Sequence, residues 1–164
     1  MTATRTMALS SLLVVSLGAF TATSSFSGAV TGGLRAEMHG DAKFGVVDGR
    51  GAVPSVFTLS LGAKGTDGSI LFTRPAGTRL TPGVYPITGR DDGSDELRAL
   101  VMTGSAEHPT GVFRGQGGTL TVTSMSDNVI RGSYRVKAAG FVAGDPAAEN
   151  REIIASGGFT ALRD

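Results

Sequence analysis

From Leu34 onward, apolar residues recur at nearly every second position, and no window carries a helical stripe. A period of two puts alternate side chains on opposite faces of an extended chain, so the pattern demands half-buried strands. Phe57, Leu59 and Leu61 alternate with Val56, Thr58 and Ser60. Ile130, Gly132, Tyr134, Val136 and Ala138 alternate with Arg131, Ser133, Arg135 and Lys137. Turn signals such as Ser126-Asp127-Asn128 cut the runs at intervals of roughly 8–12 residues, which makes about eight or nine short strands. The expected fold is all-β: an antiparallel β-sandwich, with a closed up-and-down β-barrel as the alternative. A bulge is expected at Gly157-Gly158 in the last strand.

The first thirty residues break this pattern. Arg5 precedes an apolar run from Ala8 to Phe20, and small, mostly polar residues follow to Ala29. A basic start, an apolar stretch of about a dozen residues and a small-residue exit is the layout of a secretory signal helix. The run falls short of the ~20 residues that span a bilayer. Ser27 and Ala29 place small side chains at the −3 and −1 positions of a cut after Ala29; cuts near Ala22 to Ser25 are alternatives. The reading is a leader over residues 1–29, a single β domain over 30–164, and export to the periplasm or the medium. No stable membrane anchor is expected after the leader is removed.

The chain has 15 Lys and Arg against 14 Asp and Glu. Loss of residues 1–29 removes Arg5 and no acid, leaving the expected mature chain formally neutral. A neutral domain gives no electrostatic reason to expect nucleic acid as a partner. The chain has no Cys, which excludes disulfides, thiolate metal sites and Cys nucleophiles.

Gly83-Val-Tyr-Pro-Ile87, Gly117-Gly-Thr-Leu-Thr-Val-Thr123, Val129-Ile-Arg-Gly-Ser-Tyr-Arg-Val136 and Ala155-Ser-Gly-Gly-Phe-Thr-Ala161 follow one another in the C-terminal half. This order resembles the small exported bacterial β-sandwich domains of unknown function found in envelope proteins and lipoproteins, over about residues 81–161. The resemblance implies inward positions for Val122, Ile130, Tyr134 and Phe159 and close packing at Gly132. It carries no catalytic or ligand residue. Many such domains follow a lipid-bearing cysteine, and its absence here implies a released form.

Two constellations are candidate sites. Asp91, Asp95 and Glu96 stand in one acidic turn whose oxygens suit calcium, the one cofactor the sequence offers; the same string also serves as a solvated hairpin turn. Arg131, Arg135 and Lys137 project from one face of one strand, with Thr119, Thr121 and Thr123 expected beside them. Cations about 7 Å apart along a strand can follow an anionic polymer, although an ordinary wet face balanced by Glu107, Glu149 or Glu152 would look the same. His39 and His108 lack the nucleophile and ligand spacings that catalysis or metal binding would need. With no Trp, and with Tyr85 and Tyr134 at core-like positions, sugar stacking has little to use. The expected function is a non-catalytic, exported binding or structural module with an envelope or extracellular partner. The alternatives are a small-ligand barrel carrier and a hydrolase or isomerase using one His with a carboxylate.

Overall fold

A computed structural model describes residues 22–52, 54–62, 68–76, 80–90, 96–105, 107–144 and 151–164. Its strands in chain order are β1 (Ser25–Gly32), β2 (Ala36–Gly40), β3 (Ala42–Val47), β4 (Val56–Leu61) and β5 (Gly68–Pro75), then β6 (Gly83–Pro86), β7 (Arg98–Gly104), β8 (Pro109–Met125), β9 (Val129–Val142) and β10 (Arg151–Arg163). Among the described residues there is no helix. The helical stretch of the expected leader lies outside them.

Hydrogen bonding runs β10–β3–β4–β5–β7–β8–β9 and back to β10, which closes a 7-stranded barrel. An odd number of strands cannot alternate in direction all the way round a ring, so one neighbouring pair must be parallel. That pair is β10 and β3, joined through Leu162↔Lys43 and Arg163↔Phe44. Every other pairing in the ring is antiparallel. Extra strands sit on the ring: β1 pairs with β10, β2 with β1, and β6 with β8.

The sandwich expectation is corrected here, because one curled sheet meets itself where two facing sheets were expected. The cause lies in the long strands β8, β9 and β10, of 17, 14 and 13 residues. Each of β8 and β10 serves two neighbours along one edge. β8 gives its first half to β7 and its second to β6, while β10 pairs with β1 and then, at its end, with β3. The β8–β9 register skips a residue at Gln116 and again at Thr123. Such bulges bend a strand and increase its twist, as closure of a small barrel requires. The bulge expected at Gly157-Gly158 is absent; these residues pair in step with Tyr134 and Ser133.

Inward positions alternate large with small. Phe44, Phe72, Phe113 and Phe159 are offset by Ala42, Ala99, Ala138, Ala155 and Ala161, all of them buried. Alternation of this kind lets side chains from facing walls fill a narrow barrel. Leu59, Ile70, Phe72, Val101 and Phe113 each retain 0% exposure, so no water-sized void opens beside them. Burying one such side chain contributes about 1.5–3 kcal/mol. Val122, Ile130, Tyr134 and Phe159 point inward as expected. Gly132 leaves no room for a Cβ, which would strike the Thr121 carbonyl and the Phe159 ring.

β1 has no counterpart in the periodicity. Only Phe26 and Val30 are apolar and bulky in Ser25–Gly32, yet both are buried, at 3% and 1% exposure. The expected leader boundary after Ala29 falls inside this strand.

Candidate functional site

Along β9 the buried Ile130, Tyr134, Val136 and Ala138 alternate with exposed Arg131, Ser133, Arg135 and Lys137. The period of two therefore sends these cations to the outer face of the barrel together. Strand geometry separates Arg131 from Arg135 by roughly 13–14 Å and Arg135 from Lys137 by about 7 Å.

The neighbouring strands set hydroxyls beside them. Thr160 of β10 and Ser124 of β8 stand level with Arg131, and Ser156 and Thr119 level with Arg135. The next row out belongs to β1 and β2. It carries Ser25 beside Thr160, Ser27 beside Gly158, and Ala29 beside Ser156, with His39 and Glu37 beyond. The result is a sheet face of small hydroxyl and glycine residues with cations standing on one line. Thr119 and Thr121 take the expected places, while Thr123 falls in a bulge and donates its hydroxyl to the Arg131 carbonyl at 3.1 Å.

The three cations are not equivalent. Lys137 Nζ lies 3.3 Å from Glu152 Oε2, across the β9–β10 pair. Among the described residues neither Arg131 nor Arg135 has an ion-pair partner. Balancing by Glu152 therefore applies to Lys137 alone.

Phe141, on the same outward phase of β9, continues the line and is 54% exposed. Phe141 follows the nine alternating residues Ile130 to Ala138. Its outward phase was legible from Arg135 and Lys137; what was not legible is that β9 continues past Ala138.

The other sequence candidates separate. Glu96 is exposed at the start of the β7 segment, while Asp91 and Asp95 lie outside the described residues. Among the described residues no three acidic or imidazole side chains gather into a metal site. His39 is exposed on β2 and His108 in the β7–β8 loop, and neither imidazole is hydrogen-bonded to a described carboxylate. Tyr85 is half-buried: its hydroxyl accepts from the Thr81 N–H and donates to the Thr81 carbonyl, both at 2.7 Å, and the Arg74 guanidinium lies 5.5 Å from its ring centroid. Tyr134 is buried with its phenol pushed up to about 12 by burial. Both tyrosine rings are thus committed within the fold.

Barrel closure also forms a cleft that no pattern in the sequence indicates. Phe44, Phe57, Leu80 and Met125 floor a half-open space of about 270 Å³ at one mouth, with Arg163 on its rim. It needs β3, β4 and the β8–β9 turn brought together, which only the ring accomplishes.

No protein-family model, curated protein or solved structure matches the chain.

Proposed function

We propose that the protein is an exported, non-catalytic binding module whose outer β8–β9–β10–β1 face takes an anionic polysaccharide of the envelope or its surroundings. The observation that carries this reading is the pair Arg131 and Arg135, exposed on one strand without a described acidic partner and flanked by hydroxyls. An unpaired guanidinium presents a planar fork to carboxylate or sulfate, and Ser and Thr hydroxyls bond to sugar hydroxyls. Phe141 adds an exposed aromatic face on the same line, of the kind that packs against a sugar ring. The basic start and short apolar run at the N-terminus support export.

The alternatives draw less support. A carrier calls for a hollow barrel, whereas Leu59, Ile70, Phe72, Val101 and Phe113 fill this one. A hydrolase or isomerase built on one His needs an imidazole oriented by a carboxylate in a cleft, and His39 and His108 are both exposed without one among the described residues.

The test is titration of the protein with a polyuronate and a sulfated glycan at low ionic strength. Arg131→Ala with Arg135→Ala is expected to weaken binding at least about tenfold, or ~1.4 kcal/mol. Phe141→Ala is expected to weaken glycan binding while leaving a non-sugar polyanion unaffected. Screening should reduce the affinity steeply between about 0.02 and 0.2 M salt. Equal affinity in the double variant would sink the reading.

A further inference from the structure

We infer that the leader is removed at the Ser24–Ser25 bond, so that the mature protein begins at Ser25 with β1 intact; this rests on the export reading above. Small residues stand at −3 and −1 of several bonds, among them the one after Ala29, with Ser27 and Ala29, the one after Ser27, with Ser25 and Ser27, and the one after Ser24, with Ala22 and Ser24; the first two both lie beyond Phe26 and would strip it from β1. Local sequence does not separate them. The place of β1 in the barrel does.

β1 lies between β10 and β2 and is hydrogen-bonded on both edges. Ser25 through Gly32 pair with Thr160 through Ile153, and Phe26 through Val30 with Gly40 through Ala36. A cut after Ala29 would remove Ser25 to Ala29 from the middle of this arrangement. Backbone donors and acceptors of β10 from Ser156 to Thr160 and of β2 from Glu37 to Gly40 would lose their partners at once. Phe26 would leave the core. The strip of β1 over the Tyr134 hydroxyl would go as well; Gly28 approaches that hydroxyl so closely that a Cβ there would collide with it.

A cut after Ser24 costs far less. Ser24 Oγ accepts from the Ala42 N–H and donates to the Ala42 carbonyl, each at 2.7 Å. Those contacts are lost, while every β1 pairing is retained. Chemically the step is amide hydrolysis by a leader peptidase. Water divides across the bond, its oxygen entering the new Ser24 carboxylate and the Ser25 nitrogen becoming the new α-amino group.

The full chain expressed in an exporting bacterial host, followed by intact mass and N-terminal sequencing of the exported protein, reads the bond directly. A first residue of Ser25 supports the inference. A first residue of Val30 overturns it and leaves the export reading standing, whereas an uncleaved cytoplasmic chain overturns both. A second measurement does not depend on export. Chains starting at Ser25 and at Val30, each behind an initiator Met, are compared by thermal unfolding. The Ser25 chain is expected to melt cooperatively, and the Val30 chain at least about 10 °C lower or without a transition. Equal melting temperatures would overturn the structural ground on which Ser25 is preferred to Val30.

Discussion

The Tyr134 hydroxyl is the most exposed test of the packing argument at the scale of single residues. Its ring stands 6.0 Å from Phe72 across the barrel interior, and its oxygen is aimed at the backbone of Gly28 and Gly157. Among the described residues that oxygen has no hydrogen-bond partner. A buried, unsatisfied hydroxyl costs about 1–3 kcal/mol, so Tyr134→Phe is expected to be neutral or mildly stabilising at neutral pH. The alkaline response carries the sign. Burial raises the phenol from 10.0 to about 12, so the folded state holds its proton where the unfolded state releases it. The associated stability is whole below pH 10 and falls as pH rises through the folded value, by roughly 2–3 kcal/mol in all. Denaturant midpoints measured from pH 9 to pH 12 should therefore diverge, the wild type falling below the variant as the pH climbs. A wild-type and variant pair that track each other across that range would show the phenol to be solvated.

Element by element, the alternation that marks β4 and β9 in the sequence is the alternation seen in the barrel, because each has one wall in the core and one in water. β1 was not legible for the opposite reason. Its outward positions are Ser25, Ser27, Ala29 and Thr31 and its inward ones include Gly28, so the strand resembles the small-residue exit of a leader. β8 was half legible. Thr119 to Val122 alternate cleanly, but glycines at 111, 115, 117 and 118 and the bulge at Gln116 hide the earlier half. The cationic line on β9 was legible as residues, while the unequal state of its members depends on β10 lying beside it. Glu152→Gln tests that inequality. The Lys137–Glu152 pair is exposed, so its loss should change stability by no more than about 1 kcal/mol. Lys137 would then join Arg131 and Arg135 as a third free cation, and affinity for a polyuronate should rise about two- to fivefold at low salt and revert at high salt. Unchanged affinity would mean that the polymer does not reach the Lys137 end of the strand.

For the whole molecule the decisive event is closure, and nothing in a periodic sequence states whether a sheet's last strand meets its first. An antiparallel pattern fits an open sheet, two facing sheets or a ring equally well, since all three bury one side of every strand. Here the ring closes over a short parallel seam: Leu162 beside Lys43, Arg163 beside Phe44, and the Asp164 N–H donating to the Phe44 carbonyl at 3.0 Å. The Lys43 ammonium and the Asp164 carboxylate pair across it at 2.6 Å, and that contact holds the Lys43 proton more tightly than usual. Both charges are largely exposed, so the backbone pairing carries the seam and the ion pair adds little. Removing Leu162, Arg163 and Asp164 would open this junction and take from the antiparallel ladders only the last β9–β10 pair, Leu162 with Val129, and the adjoining Arg163 N–H bond to the Asn128 carbonyl. If closure is what makes the interior a single cooperative unit, that truncation should lower the melting temperature by about 5–10 °C and broaden the transition. Dye binding at neutral pH should rise as Phe44 and Phe57 lose their cover. Lys43→Ala, which removes only the ion pair, should shift the midpoint by no more than about 2–4 °C. A truncated chain that melts as sharply and as late as the intact one would show that the barrel is held by its antiparallel ladders and that the seam is incidental.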